Sequence, residues 1–208
     1  EDEDYSDITP IMPPMKRLKV GTFKIESTGF RLGERFLKII FDNANKNRVD
    51  EIYVTLFENK REDVIRLKNL MEEWGFFKHG YKKNGELVLR KTLTNYKNEC
   101  SIKENFPLIS SSPNYFILPI YPEYHTDLFP DNILNNENMH LYQDNKAHRY
   151  AIEKIYLSGA KNVNARPGDL VLIYRNGLRS PKKYSSVITG IAIIEELKFT
   201  TTAQQCID

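Results

Sequence analysis

Apolar residues in the stretch 17–41 change their spacing part of the way along. Residues 18–25 form a short β-rich run, which ends at the turn-prone residues 26–29. From Arg31 onward the apolar residues recur at the spacing of a helix, with charged residues on the opposite side. The pattern predicts a strand, a tight turn and an amphipathic helix. Because the first N–H groups of such a helix lack intrahelical partners and lie at the positive end of its dipole, the turn is a candidate anion site.

The pattern continues with a second strand and a second helix. Residues 51–57 are apolar on both faces, as expected of a parallel strand that is covered on both sides. Residues 60–74 carry an apolar stripe at helical spacing, and Gly75 ends this predicted helix. Asn59 is the predicted N-cap, with Glu62 as its capping-box partner.

A hairpin is predicted next. Asn84-Gly85 lies between the runs 77–83 and 86–91 and is a strong two-residue turn signal. The composition then becomes polar and poor in strand residues between positions 92 and 112. We therefore place a domain boundary near residue 100.

The turn and helix resemble the acetyl-CoA-binding segment of the GNAT N-acetyltransferases, in which backbone N–H groups hold the pyrophosphate of the cofactor. The family pattern is Arg/Gln-x-x-Gly-x-Gly/Ala, and its six positions fall on residues 28–33. Gly33 matches the last position, whereas Thr28 replaces the first residue and Arg31 the middle Gly. The resemblance implies the following cofactor-binding residues: Thr28, Gly29, Phe30, Arg31, Leu32, Gly33 and Glu34.

The order of the elements also resembles the second half of a GNAT domain: strand, turn, helix, strand, helix, Gly75-Phe76 and two strands. The resemblance predicts that residues 15–99 are the C-terminal half of a GNAT-like acetyltransferase domain. Residues 1–14 carry five acids and three prolines, and are predicted to be an exposed leader loop. Since a GNAT domain begins with further strands and helices, we expect this chain to be an inactive fragment of an intact enzyme.

The residue that would act as catalytic acid is left open. GNAT enzymes commonly use a Tyr four residues before the Gly of the Gly-Phe pair, and this position is Met71, which has no proton to give. Tyr81 and His79 are alternatives by proximity in sequence alone, and His79 is interpreted as a solvated hairpin residue. Catalysis could also rest on bringing amine and thioester together.

In the second half, Pro167-Gly168-Asp169 turns into an apolar strand at 170–174, and another apolar strand follows at 187–194. This pattern resembles the PUA-like β-barrels, including the ASCH and EVE groups. The resemblance predicts a PUA-like β-barrel domain over residues 100–208. The predicted fold class is thus α+β, a partial GNAT-like α/β unit followed by a PUA-like β-barrel, an arrangement associated with predicted bacterial acetyltransferases.

Three side chains between residues 121 and 131 raise the question of a metal. His125, Asp127 and Asp131 could ligate one, but the second nitrogen or sulfur ligand of a zinc site is not evident. We therefore predict a packed loop that closes the barrel, and no metal. Residues 148–156 are predicted to be a helix.

A basic turn follows the first of these strands. It could hold a phosphate backbone while Tyr174 or Tyr184 stacks on a base, or it could be an ordinary solvated hairpin tip. Its four cations are Arg175, Arg179, Lys182 and Lys183.

Charge and cysteine content narrow the class of protein. Residues 15–99 carry 19 bases and 12 acids, which suits a polyphosphate cofactor, whereas residues 100–208 carry 11 of each. Cys100 and Cys206 are too few for a disulfide framework, and no apolar run approaches the ~20 residues that span a membrane. These features predict a cytoplasmic protein without membrane contact.

Three functional hypotheses follow. The first is an acetyl-CoA-dependent acyltransferase with an appended recognition domain. The second is a module that binds RNA or a modified nucleotide and carries a degenerate acetyltransferase unit. The third is a protein-interaction scaffold. We also expect the edge of the strand at 17–25 to be covered, either by self-association or by the acidic leader.

Overall fold

The computed structural model describes residues 5–21, 32–58, 61–132, 149, 151–160, 163–177, 181 and 184–199. These residues divide into two compact units. The first holds the described residues as far as Leu108 together with residues 149 and 151–154, and the second holds the others. The first unit therefore extends beyond the boundary placed near residue 100.

Among its described residues, the first unit contains one five-stranded sheet and three helices. In chain order its elements are β1 (Ile8–Thr9), β2 (Arg17–Val20), α1 (Leu32–Asn47), β3 (Glu51–Leu56), α2 (Glu62–Glu73), β4 (Phe77–Lys82), β5 (Leu87–Thr92) and α3 (Ile102–Asn105). The strand order is β1-β4-β5-β3-β2, in which β2 and β3 are parallel and the other neighbours antiparallel. The predicted helices, second strand and hairpin are confirmed. Their boundaries differ by one or two residues, except that α1 continues six residues beyond the predicted stretch, which ends at Phe41.

Helices α1 and α2 pack on one face of this sheet. On α1 the buried residues follow the i, i+3, i+4, i+7 spacing that the sequence predicts: Leu37, Ile40, Phe41 and Ala44. They share a core with Met71 and Trp74 of α2 and with alternate residues of β3 and β5. The ring centroids of Phe41 and Trp74 lie 6.1 Å apart. Burial of this stripe supplies the hydrophobic driving force that holds both helices on the sheet.

The N-terminal end of α2 differs from its prediction. The N-cap residue is Arg61, whose side chain makes no capping hydrogen bond. The predicted cap, Asn59, lies outside the described residues. Glu62 is the first helical residue instead of the third, and its carboxylate accepts a hydrogen bond of 2.6 Å from Arg66 one turn later. The predicted capping box is therefore wrong.

The described part of the leader begins at Tyr5 and is largely exposed, but β1 and two buried side chains attach it to the sheet. Ile8 and Met12 are each 2 % exposed and pack on Tyr53 and Val88. Tyr53 and Val88 lie on the face of the sheet opposite α1 and α2, because neighbours along a strand alternate between faces. Ile8 and Met12 therefore cover this second face. The leader therefore differs from the predicted exposed loop at its spaced apolar residues, Ile8 and Met12, which are buried among the prolines and acids.

The leader does not cover the outer edge of β2 either. Strand β1 pairs with β4 at the opposite edge, and the chain then crosses the second face of the sheet before it enters β2. For the described residues, the expectation that the leader covers that edge is wrong. Self-association through it stays a prediction.

The second unit contains a three-stranded sheet and one helix among its described residues. Its elements are β6 (Tyr115–Ile120), α4 (Pro122–Leu128), β7 (Leu170–Arg175) and β8 (Val187–Ile193). The strand order is β6-β7-β8, with β6 parallel to β7 and β7 antiparallel to β8. The predicted strands at 170–174 and 187–194 are confirmed. The predicted barrel is wrong for the described residues, where the sheet is open.

Two local predictions for the chain between residues 121 and 156 are also wrong. Most of the stretch expected to be a loop is α4, because Pro122 at the first helical position presets a helical φ and lacks only an N–H that would be unpaired there. The helix expected at 148–156 is absent from residues 151–156, the first four of which belong to the first unit. The apolar residues Ile155 and Tyr156 are exposed, so their spacing did not reflect a buried face.

The Pro-Gly-Asp turn that led to the PUA comparison has a structural explanation. Asp169 is 5 % exposed, and its carboxylate joins the starts of β6 and β7. Oδ1 accepts hydrogen bonds from the backbone N–H and the side-chain amide of Asn114, at 2.8 and 3.1 Å, and Oδ2 accepts one of 2.8 Å from the N–H of Arg166. The backbone hydrogen bond from Asn114 is the largest cause that lowers the pKa of Asp169. Gly168 supplies the left-handed conformation of the turn, with φ +92°.

Candidate functional site

The predicted cofactor segment lies at the edge of the first sheet where β2 and β3 end. Both strands run in the same direction, so their carboxyl ends meet there, and α1 begins at Leu32 after leaving β2. The paired residues end with Val20 and Val54, whereas β3 continues to Leu56. Gly33 and Glu34 are half-buried in the first turn of α1. The other predicted contacts, Thr28 to Arg31, lie outside the described residues, as does the side chain of Leu32.

The carboxylate of Glu34 is the one group in this turn that would repel an anion. Its Oε2 accepts a hydrogen bond of 3.2 Å from the backbone N–H of Ile152. A carboxylate in the first turn stabilises a helix through the dipole. Glu34 therefore also ties α1 to the segment that returns to the first unit.

Met71, at the position of the family's catalytic tyrosine, is fully buried. Its side chain is 0 % exposed and belongs to the core between the helices and the sheet. A thioether carries no proton that could be transferred. Met71 therefore stabilises the core and takes no part in proton transfer.

A polar cluster occupies the same edge of the sheet. The hydroxyl of Tyr81 donates a hydrogen bond of 2.9 Å to Glu58, and the ammonium of Lys78 donates one of 2.7 Å to the Tyr81 oxygen. Lys68 of α2 completes the cluster, with its ammonium 2.9 Å from Glu58. The hydrogen bond from Lys68, followed by that from Tyr81, lowers the pKa of Glu58.

Because β4 runs parallel to β3 across the intervening β5, Tyr81 lies near the carboxyl end of its strand, at the edge where β3 ends. Sequence reasoning considered Tyr81 but missed Glu58 and Lys68. The two residues are ten apart in sequence and lie on different sides of a strand-to-helix connection. No local periodicity relates them, so no signal in the sequence could have joined them.

A second group of charges lies at the opposite, amino end of β3. Glu51 is 0 % exposed, and its carboxylate accepts a hydrogen bond of 2.6 Å from Nε of Arg17 and one of 2.7 Å from Nε of Arg90. Nη1 of Arg90 also lies 2.9 Å from Nδ1 of His79, whose Nε2 lies 2.7 Å from the carbonyl oxygen of Pro10.

These bonds determine the tautomer of His79. A guanidinium can only donate, so Nδ1 accepts and Nε2–H donates to Pro10. The hydrogen bonds of His79 thus join the leader to the sheet, and its interpretation as a solvated hairpin residue is wrong. The guanidinium of Arg17 also lies 4.8 Å from the ring centroid of Tyr5 in the leader. Because it clamps the leader to the sheet, we interpret this network as structural.

Lys91 is buried on the face of the first sheet that packs against α1 and α2. It is 2 % exposed, and its ammonium donates hydrogen bonds of 2.6 and 2.5 Å to the carbonyl oxygens of Trp74 and Glu104. Burial lowers its pKa to about 8. A Cβ on Gly75 would lie 2.2 Å from the carbonyl oxygen of Glu104, and Gly75 has φ +79°. The Gly of the Gly-Phe pair thus lets α3 approach the end of α2.

In the second unit, one of the four cations of the predicted basic turn is buried. Arg175 is the last residue of β7 and is 3 % exposed, and burial lowers its pKa. Arg179, Lys182 and Lys183 lie outside the described residues. Arg175 is therefore not positioned as a surface contact for a phosphate backbone.

His125 is also buried, at 1 % exposure, and its Nε2 lies 2.7 Å from Oγ1 of Thr189. Burial, and then the charge of Arg175, lower its pKa to about 4. Asp127 and Asp131 are exposed. Across the described ranges, no three His, Cys, Asp or Glu side chains are grouped so that they could hold a metal ion. His125 is thus a neutral core residue of α4.

Comparison with known proteins adds no assignment. No protein-family model, curated protein or solved structure matches the chain. None of the helices in the described part of the chain has the length and apolar character needed to cross a membrane.

Proposed function

We propose that this chain is part of an N-acyltransferase of the GNAT type that uses acetyl-CoA as its acyl donor. The observation that carries the proposal is the parallel pair of β2 and β3 joined through α1. This connection brings two strand ends and a helix N-terminus to one edge of the sheet. In α/β sheets, ligands bind outside the carboxyl ends of the strands, and helix N-termini bind phosphates.

The order of elements supports the same proposal. Residues 17–92 form a strand, a helix, a strand, a helix, Gly75-Phe76 and two strands, the order on which the resemblance rests. A parallel strand pair joined through a helix could also bind phosphate ligands other than acetyl-CoA. The Gly-Phe pair after α2 is what favours the GNAT type over these.

The described residues fit the anionic part of this cofactor. Gly33 presents backbone without a side chain, and the first-turn N–H groups of α1 have no partner within the helix. The competing carboxylate of Glu34 is bonded to the N–H of Ile152. Residues 32–34 would hold the pyrophosphate together with the predicted contacts Thr28 to Arg31. Acetyl-CoA, when bound, supplies the acyl thioester.

Tyr81 replaces Met71 as the candidate proton donor in this proposal. Its hydroxyl lies at the carboxyl edge of the sheet, held between the ammonium of Lys78 and the carboxylate of Glu58. Tyr81 carries a phenolic proton, which the thioether of Met71 lacks. Tyr81 is therefore the group of this edge that is best placed to give up a proton at its Oη.

Calorimetry with acetyl-CoA tests the cofactor site. It is applied to this chain and to the longest natural chain that contains it, since we expect the intact protein to be the form that binds. Gly33→Trp should abolish binding, because the indole would occupy the space over the first turn of α1. Gly159→Trp is the matched control, since a Cβ at Gly159 meets no atom within 4 Å. If neither chain binds acetyl-CoA, the proposal is contradicted.

A separate kinetic measurement tests Tyr81. Tyr81→Phe should lower kcat by 10²-fold or more, as loss of a general acid does, and leave KM nearly unchanged. Tyr124→Phe, at an exposed position of α4, is the control. An unchanged kcat would leave proximity as the source of catalysis and remove Tyr81 from the proposal.

The described structure does not favour the alternative, a module for RNA or a modified nucleotide. The buried position of Arg175 takes one cation out of the basic turn, and phosphate contacts supply most of the affinity for nucleic acid. The remaining three cations of that turn stay a sequence prediction.

A further inference from the structure

The sheet of the second unit has an apolar face that is largely exposed. We define this outer face by six side chains: Tyr115, Ile117, Leu172, Tyr174, Ile188 and Ile191. They point the same way, because Ile117, Leu172 and Ile191 are direct partners across the three strands, as are Tyr174 and Ile188. Tyr115 lies two residues from Ile117 and shares its face. No charged residue is among the six.

The opposite face of this sheet is covered. Ile120 and Ile173 are 1 % and 3 % exposed, and His125 of α4 reaches Thr189 of β8 at 2.7 Å. On the outer face, by contrast, Ile117 is 65 %, Ile191 62 % and Tyr115 67 % exposed. Strands that are apolar on both faces, with a parallel pair among them, are typical of sheets covered on both sides. Among the residues that the structure describes, no element covers the outer face beyond its end at Leu170, which pairs with Tyr115 and is 3 % exposed.

The exposed area is large for a free surface. Four of these large side chains are more than half exposed, namely Tyr115, Ile117, Ile188 and Ile191. Together they form a patch on the order of a few hundred Å², the size of the largest apolar patch on a typical monomer. A standard interface buries roughly 800 Å² per partner, so the outer face would form the apolar core of an interface and surrounding residues its rim. A single chain would gain considerably from burying it.

We propose that the outer face is the interface of a two-fold symmetric homodimer, in which the sheets of two second units pack face to face. In such a dimer the same patch of both subunits forms the interface, so a charge near the two-fold axis would lie close to the identical charge of the partner subunit and repel it. The outer face avoids this repulsion because its six residues are uncharged. The same lack of cations disfavours a nucleic acid as the occupant, since its phosphates would find no partner there.

Two aromatic rings and four branched aliphatic side chains are a suitable composition for the dry core of such an interface. Leu172 lies at its centre, with Ile117 and Ile191 on either side. A charge placed at Ile117 would be buried twice in each dimer. The proposal does not depend on the acyltransferase function, because all six residues belong to the second unit.

Sedimentation equilibrium over a concentration series tests the proposal. The wild-type chain should be a dimer, and Ile117→Glu should raise its dissociation constant at least about 100-fold, as expected for a charge buried next to the centre of an interface. The matched control is Ile65→Glu, at a 47 % exposed position of α2 in the first unit, which should leave the dissociation constant unchanged. Circular dichroism shows whether each variant is folded.

If Ile117→Glu does not fold, the double variant Ile117→Thr with Ile191→Thr keeps β-branched residues in both strands and should still weaken the dimer. A wild-type chain that stays monomeric at the highest concentration would overturn the proposal. A dimer that resists both changes would overturn it as well, because pairing through strand edges relies on backbone groups and not on this face.

Discussion

The ammonium of Lys91 donates a hydrogen bond to the carbonyl oxygen of Trp74, the residue with which α2 ends. The same ammonium binds the carbonyl oxygen of Glu104 in α3. Two helices are thus joined through one buried cation on β5. The last carbonyl groups of a helix have no partners within the helix. Lys91 donates to one of them and so takes the place of a C-terminal cap.

The first prediction concerns the pH dependence of this contact. Because burial lowers the pKa of Lys91 to about 8, the unfolded chain binds more protons than the folded one between pH 8 and the ordinary lysine pKa of 10.5. The free energy of unfolding of the wild type should therefore rise with pH across this window, relative to Lys91→Met. The rise should be on the order of 3 kcal/mol at most.

Urea denaturation of both proteins at several pH values measures this difference. Lys46→Met, at an exposed position of α1, is the control and should show a difference that does not change with pH. Parallel pH profiles for wild type and Lys91→Met would contradict the prediction.

The second prediction concerns Gly75. Gly75→Ala forces a Cβ to within 2.2 Å of the carbonyl oxygen of Glu104, in a left-handed conformation with φ +79°. We expect the free energy of unfolding to fall by about 3 kcal/mol, from steric displacement of α3 in addition to backbone strain. Gly85→Ala shares the strain, with φ +90°, but its Cβ would meet no atom within 4 Å. It should cost only about 1 kcal/mol. Thermal unfolding should therefore separate the two variants, and equal losses would show that α3 yields freely.

The third prediction concerns the buried carboxylate of Glu51. Glu51→Gln leaves the guanidinium groups of Arg17 and Arg90 without their counter-charge, at a position that is 0 % exposed. Loss of one partner from a buried ion pair destabilises by about 3–5 kcal/mol. Glu62→Gln, in an exposed pair with Arg66, should change the free energy of unfolding by less than about 0.5 kcal/mol.

Proteolysis adds a local readout for the same variant. Since the Glu51 network also holds Pro10 through His79 and Tyr5 through Arg17, Glu51→Gln should make the leader more susceptible to cleavage. A variant as stable as the wild type, with an equally protected leader, would show that this network does not clamp the leader.

The fourth prediction concerns His125. Its pKa of about 4 lies below the ordinary value of 6.5, so the unfolded chain binds the proton first as the pH falls. The stability contributed by the neutral imidazole is fully present above pH 6.5 and is lost as the pH falls toward 4. Titration of the imidazole signals by NMR should give a midpoint for His125 well below that of an unperturbed histidine. A midpoint near 6.5 would place His125 in water instead of the core.

Much of the local structure could be predicted from the sequence. The i, i+3, i+4, i+7 stripe of α1, the two-faced apolar run of β3 and the Asn84-Gly85 turn each produce their element through contacts between near neighbours. The failures arose where two local signals competed. In the leader, the prolines predict a loop, whereas the apolar residues between them are buried. In α4, the sequence pattern predicts a loop, whereas Pro122 is the first residue of a helix.

The sequence by itself therefore determined where most helices and strands lie, and that the fold is of the mixed α and β type. Only the tertiary structure decided which polar groups meet. Glu58 is joined to Tyr81 across 23 positions, Glu51 to Arg90 across 39 and His125 to Thr189 across 64. The physical reason is that periodicity reports which face of an element is buried, whereas the partner across that face is selected by packing between segments far apart in the chain.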